Sequence, residues 1–230
     1  MRKIRITFAG AAIGLLVHVP IVMADSSGSP PGSLAALTAE WWQWVASIPA
    51  AENPTLDTTG ASCMVGQRGS IWFLAGVSGG GTAVLTCSVP DGTTLFFPVI
   101  NSVYFNTPDC EQDGQSFTVK QLRRMVKPLI DHARDLSVEV DNVKINNLLE
   151  RVQSEPFAAT FPQENFFGPD GCGVGQPLPA GIYSPSVDDG DYALIPPLKP
   201  GTHNLHYHAE SGSVTQDVTY NLMVVPISLK

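Results

Sequence analysis

Charged residues are scarce in this sequence: only 15% are Asp, Glu, Lys or Arg, whereas 43% belong to the hydrophobic set. A disordered chain would show the opposite balance, and neither a collagen repeat nor a coiled-coil composition is present. The strings typical of nucleotide, haem and zinc-protease sites (P-loop, G-x-G-x-x-G, C-x-x-C-H and H-E-x-x-H) are missing as well. The 21 Gly and 19 Pro residues instead predict a folded, β-rich chain with many turns.

Long hydrophobic runs are also missing after residue 24. Before it, Arg2, Lys3 and Arg5 precede an apolar run over residues 6–23, and Ala24 closes a small-residue cleavage pattern. This layout predicts a signal peptide over 1–24, a flexible spacer over 25–33 and a single domain over 34–230. The mature protein is then periplasmic or extracellular, with no stable membrane anchor. The alternative is an uncleaved anchor, for which the apolar run is short.

Positive charge is in deficit. The chain has 13 Lys and Arg against 21 Asp and Glu, a formal net charge of −8. Cleavage after Ala24 removes three cations and no acid, so the mature chain has 10 cations against 21 acids, or −11. Such a surface repels nucleic-acid phosphates and anionic lipid, which argues against a nucleic-acid partner.

The four cysteines are even in number and, after export, would meet an oxidising compartment. Three pairings are possible. We expect Cys63 to pair with Cys87, because they bracket a predicted hairpin, and Cys110 to pair with Cys172, because both lie in loops rich in Pro, Asp and Gly. A zinc site is the competing interpretation, but no C-x-x-C pair is present.

Two amphipathic helices are predicted. In the first, apolar residues from Leu34 to Ile48 repeat at helical spacing, so Trp41 and Trp44 face the core. Trp42 points elsewhere on this spacing and is a candidate ligand platform, or lies under a covering loop. The second helix begins with a capping box formed by Thr118 and Gln121.

The remaining pattern is β. Segments 70–77 and 82–89 read as a hairpin joined by glycines, and Pro98 places the strand 94–100 at an edge or a bulge. Further strands are predicted over 137–140, 157–161, 192–195, 202–208 and 214–225. The predicted fold is mainly β: an antiparallel immunoglobulin-like β-sandwich with two added amphipathic helices.

Several stretches resemble known proteins. Residues 198–203 with 214–225, and V-E-V-D-N-V at 138–143, are similar to strands of bacterial immunoglobulin-like domains. W-W-Q-W at 41–44, G-Q-R-G at 66–69 and L-F-F-P-V-I-N at 95–101 resemble a family of uncharacterised secreted bacterial proteins. The resemblance implies export and the β-sandwich, and it implies no catalytic residue.

A metal site is predicted on one strand. His206 and His208 alternate onto the same face, and pairing His208 with Ser213 would bring Asp217 near His206. Two imidazoles and a carboxylate suit Zn²⁺ or Cu²⁺. His203 points to the other face, where we expect a hydrogen-bonded structural residue at the end of the sandwich.

Three weaker patterns have ordinary structural explanations. The acidic run 188–191 has the oxygen density of a Ca²⁺ site but lacks its spacing, so a solvated turn is expected. Residues 76–80 match G-x-S-x-G, but a strand follows instead of a helix, so a glycine turn is expected. His132 beside Asp131 is a possible base and is expected to be a surface residue.

The sequence thus favours an exported binding protein that holds either a small ligand near Trp42 or a metal ion at His206, His208 and Asp217. A secreted hydrolase that uses the same histidines or an acidic pair is an alternative. A structural envelope protein without catalysis is another.

Overall fold

The computed structural model describes residues 32–110 and 112–226. The predicted signal peptide and spacer residues 25–31 lie outside this part. The described part is mainly β, with two α-helices and ten strands: α1 Leu34–Ser47, β1 Ile71–Phe73, β2 Gly81–Pro90, β3 Thr94–Tyr104, α2 Val119–Asp131, β4 Arg134–Val140, β5 Val143–Lys144, β6 Leu149–Gln153, β7 Phe157–Phe161, β8 Gly181–Ile195, β9 Gly201–Ser211 and β10 Val214–Val225.

The strands form two five-stranded sheets, an arrangement consistent with a β-sandwich. The first sheet has the order β1-β3-β8-β6, and β7 also pairs with β8. The second sheet has the order β2-β10-β9-β4-β5. The pairs β1–β3 and β2–β10 are parallel, and the other pairs are antiparallel. The long strand β8 therefore has three partner strands, β3, β6 and β7.

The hairpin predicted over 70–89 is wrong. β1 belongs to the first sheet and β2 to the second, so the glycines between them carry the chain from one sheet to the other. The prediction failed because local spacing cannot show that β2 pairs with β10, a strand distant in sequence, over ten residues. Gly79 and Gly80 have positive φ, which a crossing turn of this kind tolerates best at glycine.

The first sheet is covered on both faces. Along β3, Leu95 and Phe97 pack into the core shared with the second sheet, whereas Phe96 packs with the residues of α1. Burial on both faces explains why β3 is an almost continuous apolar run rather than an alternating one. By contrast, β2 alternates between buried and exposed residues, since only one of its faces is covered.

α1 forms a layer over the outer face of the first sheet. The Ser33 hydroxyl accepts a hydrogen bond from the Ala36 amide and caps its first turn. The expectation that Trp42 points away from the core is wrong, because its ring is 8% exposed and packs edge-on against Phe105. α1 contacts β6, β7 and β8, so its buried face is wider than the stripe that spacing alone predicts.

α2 has the predicted capping box, in which Thr118 and Gln121 bond each other's backbone amides. Leu122, Val126 and Ile130 are buried, and the helix packs on β3 and β8. Near its C-terminal end, the Ser211 hydroxyl donates to the Leu129 carbonyl, which ties the helix to β9.

Pro98 was predicted to lie at an edge or at a bulge, and in β3 it lies at both. The register with β8 shifts between Pro98 and Ile100, which marks a β-bulge. β1 pairs only with residues 94–96, so the rest of this edge of β3 has no strand partner among the described residues. Pro98, which has no amide proton to donate, therefore costs the sheet no hydrogen bond on that side.

The hairpin of β9 and β10 turns on Gly212 and Ser213, with a positive φ at Gly212. His208 pairs with Asp217 rather than with Ser213, so the predicted register is wrong. The predicted register differs from the observed one by an even number of residues, so each side chain of the hairpin lies on the predicted face of the sheet. Tyr207 and Val218 are buried between the sheets.

Candidate functional site

Both predicted disulfides are confirmed: Cys63 is bonded to Cys87, and Cys110 to Cys172. The first pair does not bracket a hairpin, because β1 and β2 belong to different sheets. The loop before Cys63 follows the edge of β2, where the Thr86 amide donates to the Thr59 carbonyl at 2.9 Å. Two disulfides suggest an oxidising environment of the kind found outside the cytosol.

Among the described residues, no helix is long and apolar enough to cross a membrane.

The acidic run 188–191 does not form a solvated turn. It lies inside β8, and the Asp188 and Asp189 side chains point to opposite faces of the first sheet, each without exposed surface. The turn prediction failed because clustered carboxylates are rarely buried. Here each carboxylate has its own set of hydrogen-bond donors, which include side chains from elements distant in sequence.

Asp188 points toward α1. The Trp42 indole Nε1 donates to its Oδ1 at 2.7 Å, and the Tyr192 hydroxyl donates to its Oδ2 at 3.0 Å. Burial raises the pKa of Asp188 well above its usual range, although these two hydrogen bonds favour the ionised form. The charge of Asp189 also raises the pKa, and that of Arg123 lowers it.

Asp189 points toward α2. Arg151 binds it with two nitrogens, Nε at 3.0 Å and Nη2 at 2.9 Å, and Gln153 Nε2 donates at 3.0 Å. Arg151 also donates to Asp131 at the end of α2, at 3.0 Å. These contacts, above all the one with Asp189, raise the pKa of Arg151. Asp189 is thus a fully paired carboxylate that attaches β6 and α2 to β8.

The network of Asp188 continues to β3. Asn101 Nδ2 donates to the Tyr192 hydroxyl oxygen at 3.0 Å. Gly190 lies between them, and a Cβ atom at this position would be 2.6 Å from Asn101 Cβ and 2.8 Å from Tyr192 Cε2. A glycine at 190 is therefore required for the Asn101 and Tyr192 side chains to meet across the sheet.

A cavity of about 240 Å³ adjoins this network at the open edge of β3. Its walls come from α1, the glycine segment after β1, β3, the ends of α2 and β10, and Phe166 and Phe167. Among the described residues, the lining contains four aromatic rings and no charged side chain: Trp41, Trp42, Thr55, Gly76, Val77, Ser78, Gly79, Gly80, Pro98, Val99, Ile100, Asn101, Val103, Leu129, Phe166, Phe167, Val214 and Gln216. Trp42, the predicted ligand platform, thus lies in the wall of a cavity.

The G-x-S-x-G segment contributes to this wall but has no nucleophile geometry. Ser78 is exposed, and its backbone amide donates to the Thr55 carbonyl at 3.0 Å. The segment crosses between two sheets instead of entering a helix, as a nucleophile elbow would. His132 lies at the C-terminal end of α2, where its Nδ1 is 2.7 Å from the Pro128 carbonyl oxygen.

The predicted metal ligands lie on the outer face of the second sheet. His206 Nε2 is 2.8 Å from Asp217 Oδ1, whereas His208 Nε2 is 3.8 Å from Glu210 Oε1. Across residues 32–110 and 112–226, no three His, Cys, Asp or Glu side chains are placed to hold one ion. The Zn²⁺ or Cu²⁺ site stays a prediction that this arrangement does not favour.

His203, expected to be structural, is held at the end of the sandwich. Its Nδ1 is 2.7 Å from Asp141 Oδ2, and its Nε2 is 2.8 Å from the Lys199 carbonyl oxygen. The hydrogen bond with Asp141, followed by that with Lys199, raises the pKa of His203. The pKa of Asp141 is lowered, chiefly by the Asn204 amide and by His203.

A comparison with known protein families finds none that matches this chain, and a search of curated proteins finds no match either.

Proposed function

We propose that this chain is an exported binding protein that holds a small, neutral, largely apolar molecule in the cavity beside Trp42. The observation that carries the proposal is the lining of this cavity, with aromatic rings from two separate segments and no charged group. Pockets that bind small molecules have this character, with few polar groups to fix the orientation of the ligand. An apolar cavity of about 150 Å³ is large enough for benzene. A cavity of about 240 Å³ accommodates a substituted ring.

The binding site is supported by a rigid wall. Trp42 packs at 4.9 Å from Trp41 and 5.8 Å from Phe105, measured between ring centroids. The hydrogen bond from its indole to Asp188 fixes the remaining rotation of the ring. A preformed aromatic surface loses little conformational entropy when a ligand binds, which favours binding as its role.

The experiment is a titration of the mature protein with toluene, followed by tryptophan fluorescence and by ligand-observed NMR. The test variant is Val103→Phe, which places a larger side chain in the cavity wall. The matched control is Val84→Phe, on an exposed position of β2 that is 62% accessible. We expect saturable binding to the wild type and to the control, and none to Val103→Phe. Failure of the wild type to bind, or unchanged binding by Val103→Phe, would contradict the proposal.

We also propose that the sandwich is immunoglobulin-like. With the strands taken in chain order, the first sheet, β1-β3-β8-β6, corresponds to the order A-B-E-D. In the second sheet, β10-β9-β4-β5 corresponds to G-F-C-C′. The parallel β1–β3 pair and the absence of a disulfide between β3 and β9 are departures from antibody domains. Cross-strand amide contacts of β9 with both β4 and β10, measured by NMR, test the arrangement.

Export is the remaining element of the proposal. The two disulfides support it, since they form in oxidising compartments. N-terminal sequencing of the protein recovered outside the cytosol is the test, and we expect the mature chain to begin at Asp25. An N-terminus at Met1 would contradict the predicted cleavage.

A further inference from the structure

The polar side chains of the cavity wall are Thr55, Ser78, Asn101 and Gln216. Gln216 is occupied at both ends, because its Nε2 donates to the Val77 carbonyl at 2.7 Å and its Oε1 accepts from the Val77 amide at 3.2 Å. Thr55 directs its hydroxyl proton to Asn53 Oδ1 at 2.7 Å. Ser78 is exposed.

Asn101 is different, since only half of its amide is occupied. Its Nδ2 donates to Tyr192, and its Oδ1 accepts no hydrogen bond from any residue that the structure describes. A ligand in the cavity therefore meets a hydrogen-bond acceptor at Asn101. Amide orientation follows from the hydrogen-bond network around the side chain, so the reason for this orientation lies in the partners of Tyr192.

Tyr192 has a single hydroxyl proton. The Tyr192 hydroxyl donates this proton to Asp188 Oδ2 at 3.0 Å, because Trp42 already donates to Oδ1. Its oxygen must then accept from the other neighbour, and Asn101 turns Nδ2 toward it. Asp188, as the acceptor of the Tyr192 proton, thus determines which end of Asn101 is left for the cavity.

Other charged groups face Asp188 from several elements. Asp189 follows it in β8, and Arg123 of α2 donates to its carbonyl at 2.8 Å and attracts its carboxylate. From α1, Trp42 supplies a neutral donor. Burial and the charge of Asp189 favour the neutral acid, whereas Arg123 and the two donors to the carboxylate favour the ionised form.

We infer that the ligand of the proposed site is a small aromatic alcohol whose hydroxyl donates to Asn101 Oδ1, and that Asp188 sets this preference through Tyr192. This inference rests on the proposed binding function. The ring of the ligand would contact the tryptophan and phenylalanine rings, and its hydroxyl would contact the single free amide oxygen. A ligand that carries only an acceptor would place two oxygens in opposition, with neither able to donate.

The experiment compares three probes of similar size: phenol, which donates; anisole, which only accepts; and toluene, which does neither. We expect the wild type to bind phenol about five- to ten-fold more tightly than anisole, the effect of one hydrogen bond. In Asp188→Asn, the new amide donates to Tyr192, whose proton becomes free for Asn101. We expect the phenol preference to fall at least about five-fold.

Tyr192→Phe keeps the ring, which stacks on Phe96 at 5.1 Å, and removes only the hydroxyl. It therefore provides a second test if Asp188→Asn does not fold. We expect it to bind toluene like the wild type and to discriminate weakly between phenol and anisole. The matched control is Tyr183→Phe, near the start of β8, because the Tyr183 hydroxyl donates to the Pro179 carbonyl just before that strand.

The outcomes separate the two proposals. If none of the three probes binds the wild type, the proposed function itself fails. If all three bind with equal affinity, the cavity is a binding site and the inference about aromatic alcohols is wrong. If Tyr192→Phe keeps the full preference for phenol, Asp188 and Tyr192 do not set it.

Discussion

Trp42 Nε1 lies 2.7 Å from Asp188 Oδ1, a hydrogen bond between residues 146 positions apart in the chain. It connects the middle of α1 to the middle of β8 at a point where both side chains are buried. A buried carboxylate is stable only where donors replace the water that it loses. The bond therefore positions the helix and solvates the acid at the same time.

We predict that Trp42→Phe lowers the free energy of unfolding by about 2 to 4 kcal/mol, because it removes a donor from a buried carboxylate and leaves a small void. Urea denaturation measures this value. Trp44→Phe is the control, since the Trp44 indole donates at 2.8 Å to a neutral acceptor, the Val65 carbonyl. Its loss should be smaller, about 1 to 2 kcal/mol. Equal losses would show that the carboxylate has no special need of its donor.

The raised pKa of Asp188 predicts a pH dependence of stability. Between the pKa of an unfolded aspartate, about 3.9, and the higher folded value, the folded state holds an extra proton. Its contribution to stability is complete at low pH and is lost as the pH rises through this window. We expect wild-type stability, measured against that of Asp188→Asn, to fall as the pH rises above about 4. This difference cancels the groups that both proteins share, and a constant or rising difference would contradict the assignment.

The hydrogen-bonded pair of His203 and Asp141 predicts a second pH dependence of stability, in which the contribution of the pair is lost at both high and low pH. His203 has a raised pKa, so its contribution is complete below about pH 6.5 and is lost as the pH rises through the folded value. Asp141 has a lowered pKa, and its contribution is lost as the pH falls below about 3.9. Because the Asp141 side chain is half exposed, we expect a coupling below about 1 kcal/mol. A double-mutant cycle with His203→Ala and Asp141→Ala, measured at pH 5.5 and pH 9, should show stronger coupling at the lower pH.

Gly190→Ala should destabilise the protein by about 1 to 3 kcal/mol, because the new methyl group overlaps with Asn101 and Tyr192. Displacement of these side chains should also abolish the phenol preference of the cavity. Gly181→Ala is the matched control in the same strand, since a Cβ there has no neighbour closer than 3.8 Å. Loss of stability without any change in ligand preference would show that the two side chains move together and keep their contact.

Removal of either disulfide should cost about 3 to 4 kcal/mol of unfolding free energy in the chain-entropy treatment. The bonds close separations of 24 and 62 residues, so the treatment predicts slightly more for Cys110–Cys172. Paired Cys→Ala variants, measured by urea denaturation against the oxidised wild type, provide the values. A loss below about 1 kcal/mol for either pair would indicate that its loop is already ordered in the unfolded chain.

Much of the fold could be predicted from local pattern. The strands 157–161 and 214–225 have the predicted bounds, and the capping box of α2 is confirmed. Both disulfide pairs were predicted as well. These features depend on short-range spacing or on a small number of combinations. The faces of β9 and β10 were predicted despite a wrong register, since alternation depends only on parity.

The candidate site could not be predicted in the same way. The acidic run at 188–191 looks like a turn because local composition gives no sign of the donors that bury it. Those donors, Trp42 and Arg151, come from other elements and become neighbours only in the complete fold. The one local hint is Gly190 inside the run, since a glycine within a strand often marks a close approach of other groups.

The position of β8 in the chain has a consequence for biosynthesis. This strand is the shared neighbour of β3, β6 and β7, and its register with β3 begins by pairing Ile195 with Leu95. A nascent polypeptide therefore cannot finish the first sheet until Ile195 has left the ribosome. Until then the apolar residues of β3 are not paired with β8, and exposed apolar strands of this kind favour aggregation. We expect folding to start late, after most of the chain has been released.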